Sequence, residues 1–271
     1  MTTKAPQILL TNDDGIDSPG IKAAAAALDE LGEVTIAAPR QQSSGAGRAL
    51  FLGAEGKIYT RSVDINGKTW KGYAIDGSPA QTVIQAMLEI MPTRPDLVVS
   101  GINYGENLGN VITASGTVGA AIEAVSMGVP AIAVSLQLCE NLWLTHDSSV
   151  DFTVAAYFTL HFARWILKHK LPPEVDLLKI DVPNDAQKDT PWRLTRLAHH
   201  RYWQPFIDRQ NGWEGAARLD GRINVEADQV SADSDVRALK FDGLVSVTPL
   251  SIDLTSRVDF SQFEQEIRED K

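Results

Sequence analysis

The sequence predicts an α/β protein built on an open, mostly parallel sheet. Short apolar runs that fit buried strands alternate with helix-forming segments as far as about residue 137. Such alternation favours a parallel sheet covered by helices. The first strand, helix and second strand form a unit that strongly prefers parallel strands and a right-handed crossover.

The first unit has clear start and stop signals. A buried strand is expected at residues 8–11. Ser18 is a good N-cap and Pro19 suits the first helical position, so a helix begins there. The helix-forming residues that follow end at Gly32, and the second strand ends at Pro39.

Further elements follow in order. Asn66-Gly67 between β-rich runs predicts a β-hairpin, and Ser78-Pro79 repeats the cap-plus-proline start of a helix. Beyond them we expect strands at residues 95–100 and 130–136, a glycine-rich loop at 101–110, and helices at 114–128 and 147–169.

The second half carries weaker signals. Strands are expected at residues 177–183 and 243–250, outside the clear core, whereas residues 185–235 have no clean period. A terminal helix should place Phe260, Phe263 and Ile267 on one apolar stripe. These uncovered apolar surfaces predict an oligomer, at least a dimer.

Composition narrows the function. The net charge of −10 disfavours a protein that coats nucleic-acid polymers. The single cysteine, Cys139, excludes an intramolecular disulfide and suits a reducing compartment. Since no apolar run could span a bilayer and the N-terminus lacks a secretory signal, we expect a cytoplasmic protein without a membrane partner.

Polar residues follow several strands and should meet at one edge of the sheet, where parallel α/β proteins bind ligands. They are Asn12, Asp13 and Asp14 after the first strand, Ser43 and Ser44 after the second, Asn103 and Asn107 in the glycine-rich loop, and Ser115, Gly116 and Thr117 at a helix start.

The chemistry of these residues indicates a cation and a phosphate. Carboxylate, hydroxyl and amide oxygens suit Mg²⁺, Mn²⁺ or Ca²⁺, and a divalent ion would relieve the repulsion between Asp13 and Asp14. The sequence has no His-Glu-x-x-His motif or cysteine cluster, which disfavours zinc. The helix that starts near Ser115 offers free N–H groups and the positive end of its dipole to an anion.

The sequence does not match two familiar types of functional site. A dinucleotide-binding loop would read G-x-G-x-x-G after the first strand, whereas residues 12–20 read NDDGIDSPG. A haloacid dehalogenase-type phosphatase needs an aspartate nucleophile where this chain has Asn12, and an amide cannot serve.

Five ordered motifs resemble the SurE (survival protein E) family of metal-dependent 5′/3′-nucleotidases. They are ILLTNDDGIDSPGI, APRQQSSGAG, GSPAQTV, PDLVVSGINYGENLG and SGTVGAAIEA, and they cover most of residues 7–137. The resemblance implies a Rossmann-like three-layer core with a β-hairpin, and phosphomonoesterase activity on nucleoside monophosphates. It implies a catalytic core at residues 1–170 and a C-terminal extension at 171–271 that completes the fold and mediates dimers or tetramers.

The resemblance also implies site residues. One divalent ion per subunit, Mg²⁺ or Mn²⁺ with Ca²⁺ as a structural stand-in, would bind Asp13, Asp14, Ser44 and Asn103. The phosphate would face Asn107, Ser115, Gly116 and Thr117. One of the two aspartates would assist as general base, and the sequence does not say which.

The chain departs from the family pattern beside the phosphate turn. Asn110 and Val111 stand in place of an acidic pair, and Ala114 stands in place of an aromatic residue. Base preference and the choice between 5′ and 3′ phosphates therefore stay open, with Tyr104 as a candidate stacking residue. A non-catalytic nucleotide or phosphate sensor on the same fold is the alternative function.

Overall fold

A computed structural model describes residues 5–53, 55–143 and 145–269 of the chain. The strands are β1 (Gln7–Thr11), β2 (Glu33–Pro39), β3 (Ile58–Ile65), β4 (Lys68–Ile75), β5 (Leu97–Tyr104), β6 (Ala131–Leu136), β7 (Leu177–Val182), β8 (Trp192–Leu194), β9 (Trp203–Arg209), β10 (Ala217–Ile223) and β11 (Val245–Leu250). The α-helices are α1 (Pro19–Leu28), α2 (Pro79–Gln85), α3 (Gly116–Ser126), α4 (Thr153–Lys168) and α5 (Phe260–Glu269).

A nine-stranded sheet forms the centre of the molecule, in the order β3-β4-β2-β1-β5-β6-β7-β11-β8. The strands from β4 to β7 in this order all pair in parallel. Strand β3 pairs antiparallel with β4, and β11 pairs antiparallel with β7 and in parallel with the edge strand β8. Strands β9 and β10 form a separate antiparallel pair.

Helices cover both faces of this sheet. Ile8 and Leu10 of β1 belong to one apolar cluster, which α1 and α4 cover. Leu9, between them, belongs to a second cluster on the opposite face, beneath α2 and α3. Because side chains alternate across a strand, the two clusters build a three-layer α/β fold, which confirms the fold class expected from the sequence.

Local signals in the sequence account for several element boundaries. The Ser18 hydroxyl caps α1 by accepting the N–H of Gly20 at 3.2 Å. Ser78 and Gln81 form a reciprocal capping box at the start of α2. Asn66 and Gly67 have φ values of 50° and 77°, as a two-residue hairpin turn between β3 and β4 requires.

Two predicted boundaries were wrong. Helix α4 begins at Thr153 rather than at residue 147. The carboxylates of Asp147 and Asp151 accept the N–H groups of Ser149 and Thr153, both at 2.8 Å, and such local bonds compete with helix formation. Strand β5 continues to Tyr104 where a loop was expected, because its pairing with β6 resumes at Asn103 after an irregularity.

The C-terminal half also corrects an expectation. Strands β7 and β11 lie within the central sheet and are largely buried, so the core already covers the apolar residues that were expected to lie outside it. The segment between them forms a small apolar cluster of its own against Leu108. Every residue of α5 is exposed. In the described part of the chain, no helix is long and apolar enough to cross a membrane.

Candidate metal and phosphate site

The candidate site lies where the strand order changes direction. The chain runs from β1 through α1 to β2 on one side, and from β5 through α3 to β6 on the other. Strands β1 and β5 are neighbours, so the loops that leave them diverge and open a crevice at their carboxyl ends. Ligands bind at this position in open α/β sheets.

Asp13 lies against the first turn of α3. Its carboxylate accepts the hydroxyl of Thr117 at 2.5 Å, and both side chains are buried. Gly116 allows this approach, since a Cβ atom there would lie 2.8 Å from the Asp13 Oδ2 atom. The structure therefore brings Asp13, Gly116 and Thr117 into direct contact.

Asp14 points to the other side, toward β5. One of its oxygens accepts the main-chain N–H of Tyr104 at 3.1 Å. The other accepts the side-chain amide of Gln42 at 3.2 Å. These bonds hold Asp14 beside the end of β5, where Asn103 lies.

Burial leaves both carboxylates in need of a positive partner. Asp13 and Asp14 are 3% and 1% exposed. Burial raises the pKa of each, and the charge of Asp13 raises the pKa of Asp14 further. The Thr117 hydroxyl and the N–H groups at the start of α3 oppose this rise at Asp13. Within the described residues, neither aspartate forms an ion pair.

Asn103 and Ser44 could complete a set of oxygen donors. Asn103 is half-buried, and its NH₂ group donates to the carbonyl of Gly105 at 2.6 Å. No described residue donates to its amide oxygen, which could therefore bind a cation. Ser44 is exposed, and its neighbour Ser43 donates its N–H to the Asp13 carbonyl at 2.7 Å. This bond places the segment that carries Ser44 next to Asp13. The Ser44 hydroxyl makes no hydrogen bond with described residues.

These donors fit a hard divalent cation. Two adjacent carboxylates that have no basic partner among the described residues, with an amide oxygen and a hydroxyl nearby, match the ligand preference of Mg²⁺ or Mn²⁺. Over residues 5–53, 55–143 and 145–269, no group of three or more His, Cys, Asp or Glu side chains is placed to hold a metal.

The start of α3 presents main-chain N–H groups to the same crevice. Ser115 is the N-cap, and its hydroxyl accepts the N–H of Val118 at 3.2 Å. The Ser115 hydroxyl therefore caps the helix, and the first turn of α3 lies against Asp13 through Gly116 and the Thr117 hydroxyl. A phosphate would meet the positive end of the α3 dipole here.

The hydrogen bonds of Asn107 are made mainly with residues of β6 and β7. Its side-chain amide donates to the Ser135 hydroxyl at 2.9 Å. Its main-chain N–H donates to Asp181 at 2.7 Å, and its carbonyl accepts Lys179 at 2.8 Å. No hydrogen bond among the described residues joins Asn107 to Asp13, Asp14 or the turn at residues 115–117.

The structure excludes one candidate and adds others. Tyr104 is 3% exposed and packs edge-on against Phe152, so it cannot stack on a nucleobase. Sequence reasoning missed Gln42, for which the chain offers no pattern. It also missed Lys179 and Asp181, although two charges spaced two residues apart in an apolar strand share one face and were a usable signal.

Comparison with known proteins identifies relatives over nearly the whole chain. The family model described as "Survival protein SurE" matches residues 8–204. The "5'-nucleotidase SurE" of Thermococcus gammatolerans is 44% identical over 258 residues, which cover 94% of each chain. The protein of the same name from Methanosarcina acetivorans is 39% identical, covering 96% of this chain and 97% of the relative.

Solved structures extend the agreement to three dimensions. The crystal structure of the SurE protein from Aquifex aeolicus superimposes with a TM-score of 0.75 at 30% identity, and the match covers 97% of this chain and 99% of that one. Sequence and structure agree over nearly the whole length. The chain belongs to the SurE family.

Proposed function

We propose that this chain is a divalent-metal-dependent phosphomonoesterase that hydrolyses nucleoside 5′- or 3′-monophosphates to nucleoside and phosphate. The central observation is the pair of buried carboxylates, with Asp13 against the first turn of α3 and Asp14 toward the end of β5, neither of which forms an ion pair with a described residue. The names of the relatives from Thermococcus and Methanosarcina support the nucleotidase activity.

Asp13, Asp14, Asn103 and Ser44 are the residues that would hold the cation. When bound, a divalent ion supplies Lewis-acid polarisation of a phosphoryl oxygen and lowers the pKa of water. The oxygen donors fit Mg²⁺ and Mn²⁺ alike, because both ions prefer such ligands.

The chain's own groups would bind the phosphoryl group and manage the proton. The N–H groups of Gly116 and Thr117 and the Asn107 amide are proposed to stabilise charge on its non-bridging oxygens. Water attacks phosphorus, the bond to the nucleoside oxygen breaks, and that oxygen leaves with a proton. Asp13 and Asp14 are the groups that could accept the proton of the attacking water.

A non-catalytic phosphate sensor on the same fold is the less favoured function. Such a sensor would not need two adjacent buried carboxylates, which disfavour an anion unless a cation lies between them. Phosphate release separates the two functions directly, since a sensor binds nucleotide without consuming it.

The metal assignment is tested by Asp14→Asn, with Asp17→Asn as the matched control. Asp17 lies in the same loop but is exposed. Asp14→Asn should lower turnover by about a hundredfold or more, since a catalytic cation contributes several kcal/mol. Asp17→Asn should keep wild-type activity. Full turnover by Asp14→Asn, or by wild type in excess chelator, would rule out the metal-dependent mechanism.

The substrate assignment is tested with one metal and four substrate classes. We expect the kcat/KM for purine or pyrimidine monophosphates to exceed that for a simple sugar phosphate, and longer polyphosphates to be poorer substrates. One cation and one helix N-terminus can neutralise a single terminal phosphoryl group. Equal values for the three monophosphate classes would reduce the assignment to a general phosphomonoesterase.

We also propose that residues 171–271 mediate self-association into a dimer or tetramer. Phe260, Phe263 and Ile267 lie on one face of α5 and are more than half exposed. The β9–β10 pair likewise exposes Ile207 and Leu219. Exposed apolar side chains that share one face are a common feature of interaction sites.

A further inference from the structure

Three charged side chains lie beneath the loop that carries Asn107. Lys179 and Asp181 belong to β7, and Asp235 lies in the segment that packs against Leu108. All three are 0% exposed. We call Lys179, Asp181 and Asp235 the buried triad.

The lysine of the buried triad has its full complement of acceptors. Its Nζ atom lies 2.5 Å from Asp181 Oδ2, 3.2 Å from Asp235 Oδ2 and 2.8 Å from the Asn107 carbonyl oxygen. An ammonium has three N–H donors, so each can be used. The two carboxylates raise the pKa of Lys179 against the effect of burial, and the side chain stays charged.

The two carboxylates bind the same loop. Asp181 accepts the N–H of Asn107 at 2.7 Å, and Asp235 accepts the N–H of Gly109 at 2.9 Å. The buried triad thereby bonds both main-chain polar groups of Asn107. In the register of the sheet, Asp181 lies opposite Ser135, which accepts the Asn107 side chain. Neighbouring strands thus fix the main chain and the side chain of Asn107.

Stability alone does not account for this arrangement. Buried ion pairs often contribute no more than apolar residues of similar volume, because desolvation offsets the attraction between the charges. What a saturated charged cluster does provide is a single defined geometry for the groups it bonds. Here those groups include the main chain at Asn107 and Gly109.

We propose that Lys179 and Asp181 are positioning residues, which hold Asn107 in place and so set the affinity of the site for the phosphoryl group. The proposal rests on the function proposed above, in which Asn107 binds phosphate. It adds two residues of β7 that act on the substrate only through Asn107.

The test replaces the ion pair without changing the net charge of the buried triad. Lys179→Met with Asp181→Leu removes both bonds to the Asn107 main chain, and the sum of charges remains −1. Lys179→Met with Asp181→Asn keeps an acceptor for the Asn107 N–H. Asp242→Asn is the control for stability, because Asp242 binds Arg193 and Arg237 rather than the loop.

There are two readouts. The first is the Ki of inorganic phosphate, measured against a nucleoside monophosphate. The second is the amide hydrogen exchange of residues 107–109 in the intact protein, followed in a fragment that covers them. We expect the Met/Leu variant to raise Ki about tenfold and to speed exchange. The Met/Asn variant should raise Ki less, and Asp242→Asn should leave Ki unchanged.

The outcomes separate positioning from a structural role. A merely structural defect lowers kcat through the folded fraction and leaves Ki at the wild-type value, which would overturn the proposal. If neither double variant folds, Asp181→Leu alone is measured, because it removes the acceptor of the Asn107 N–H, and an unchanged Ki again overturns the proposal. If the wild-type protein has no turnover, the proposed function is refuted instead. Faster amide exchange in the Met/Leu variant than in the wild type would then still show that the buried triad holds the loop.

Discussion

Gly116→Ala adds a single methyl group at the point where α3 meets Asp13. Gly116 is the first residue of the helix, directly after the N-cap Ser115. Its backbone does not need positive φ, so alanine introduces no backbone strain there. Alanine is also favoured over glycine in helices by about 1 kcal/mol. Any loss of activity should therefore come from the site and not from the helix.

The size of the effect follows from the distances. The added Cβ would lie 2.7 Å from the Asp13 Cβ atom and 2.8 Å from its Oδ2 atom. Non-bonded carbon atoms approach to about 3.5 Å, so Asp13 or the helix must move by roughly 0.8 Å. Catalytic groups need positions accurate to about 0.5 Å, and a displacement of 1 Å can cost about a hundredfold. We expect kcat/KM to fall between about tenfold and a hundredfold.

The assay is phosphate release at saturating metal, with thermal unfolding measured in parallel. Ser126→Ala serves as the control, because Ser126 is exposed at the far end of α3. A folded Gly116→Ala variant with wild-type kcat/KM would refute the argument that Asp13 and the first turn of α3 enclose the reacting phosphoryl group.

Two further predictions concern the phosphate and the oligomer. Thr117→Val removes the hydroxyl that donates to Asp13 and should raise the Ki of phosphate about tenfold. Thr117→Ser keeps the hydroxyl, and its Ki should stay near the wild-type value. Equal Ki values for the two variants would show that the hydroxyl does not contribute to phosphate binding. The wild-type protein should be at least a dimer by light scattering at micromolar concentration. Phe263→Glu should lower the molar mass of the assembly, because Phe263 lies on the exposed apolar stripe of α5. A monomeric wild type would contradict the proposed interface.

The sequence was sufficient for strands β1 to β6 of the central sheet because its signals there are local. Ser18 and Ser78 cap their helices as expected, and Asn66-Gly67 turns the hairpin. Each of these depends on residues within a few positions along the chain, which a single sequence displays directly. Asp13 and Thr117 are 104 residues apart, and only the rule that parallel strands end at one edge predicts that they meet.

What the sequence did not reveal depends on contacts between distant segments. Strand β7 looked like an apolar surface strand, but β6 and β11 flank it in the sheet. Lys179 can be buried there because Asp235, far along the chain, supplies a second carboxylate. Helix α4 starts late because two Asp side chains accept hydrogen bonds from the main chain just ahead of it, and such bonds compete with helix formation. The helical spacing of apolar residues does not reveal this competition.

Gln42 gives the last prediction, since only the structure identifies it. Its amide donates to Asp14 at 3.2 Å and to the carbonyl of Trp143 at 3.3 Å, so it ties Asp14, a proposed metal ligand, to a neighbouring segment. Partners that orient metal ligands typically contribute tenfold to a hundredfold in metal affinity. Gln42→Leu should therefore raise the Mn²⁺ concentration needed for half-maximal activity by about tenfold or more. Gln41→Leu, at the exposed neighbouring position, should not. Identical metal dependence in the two variants would show that the Tyr104 N–H alone suffices to orient Asp14.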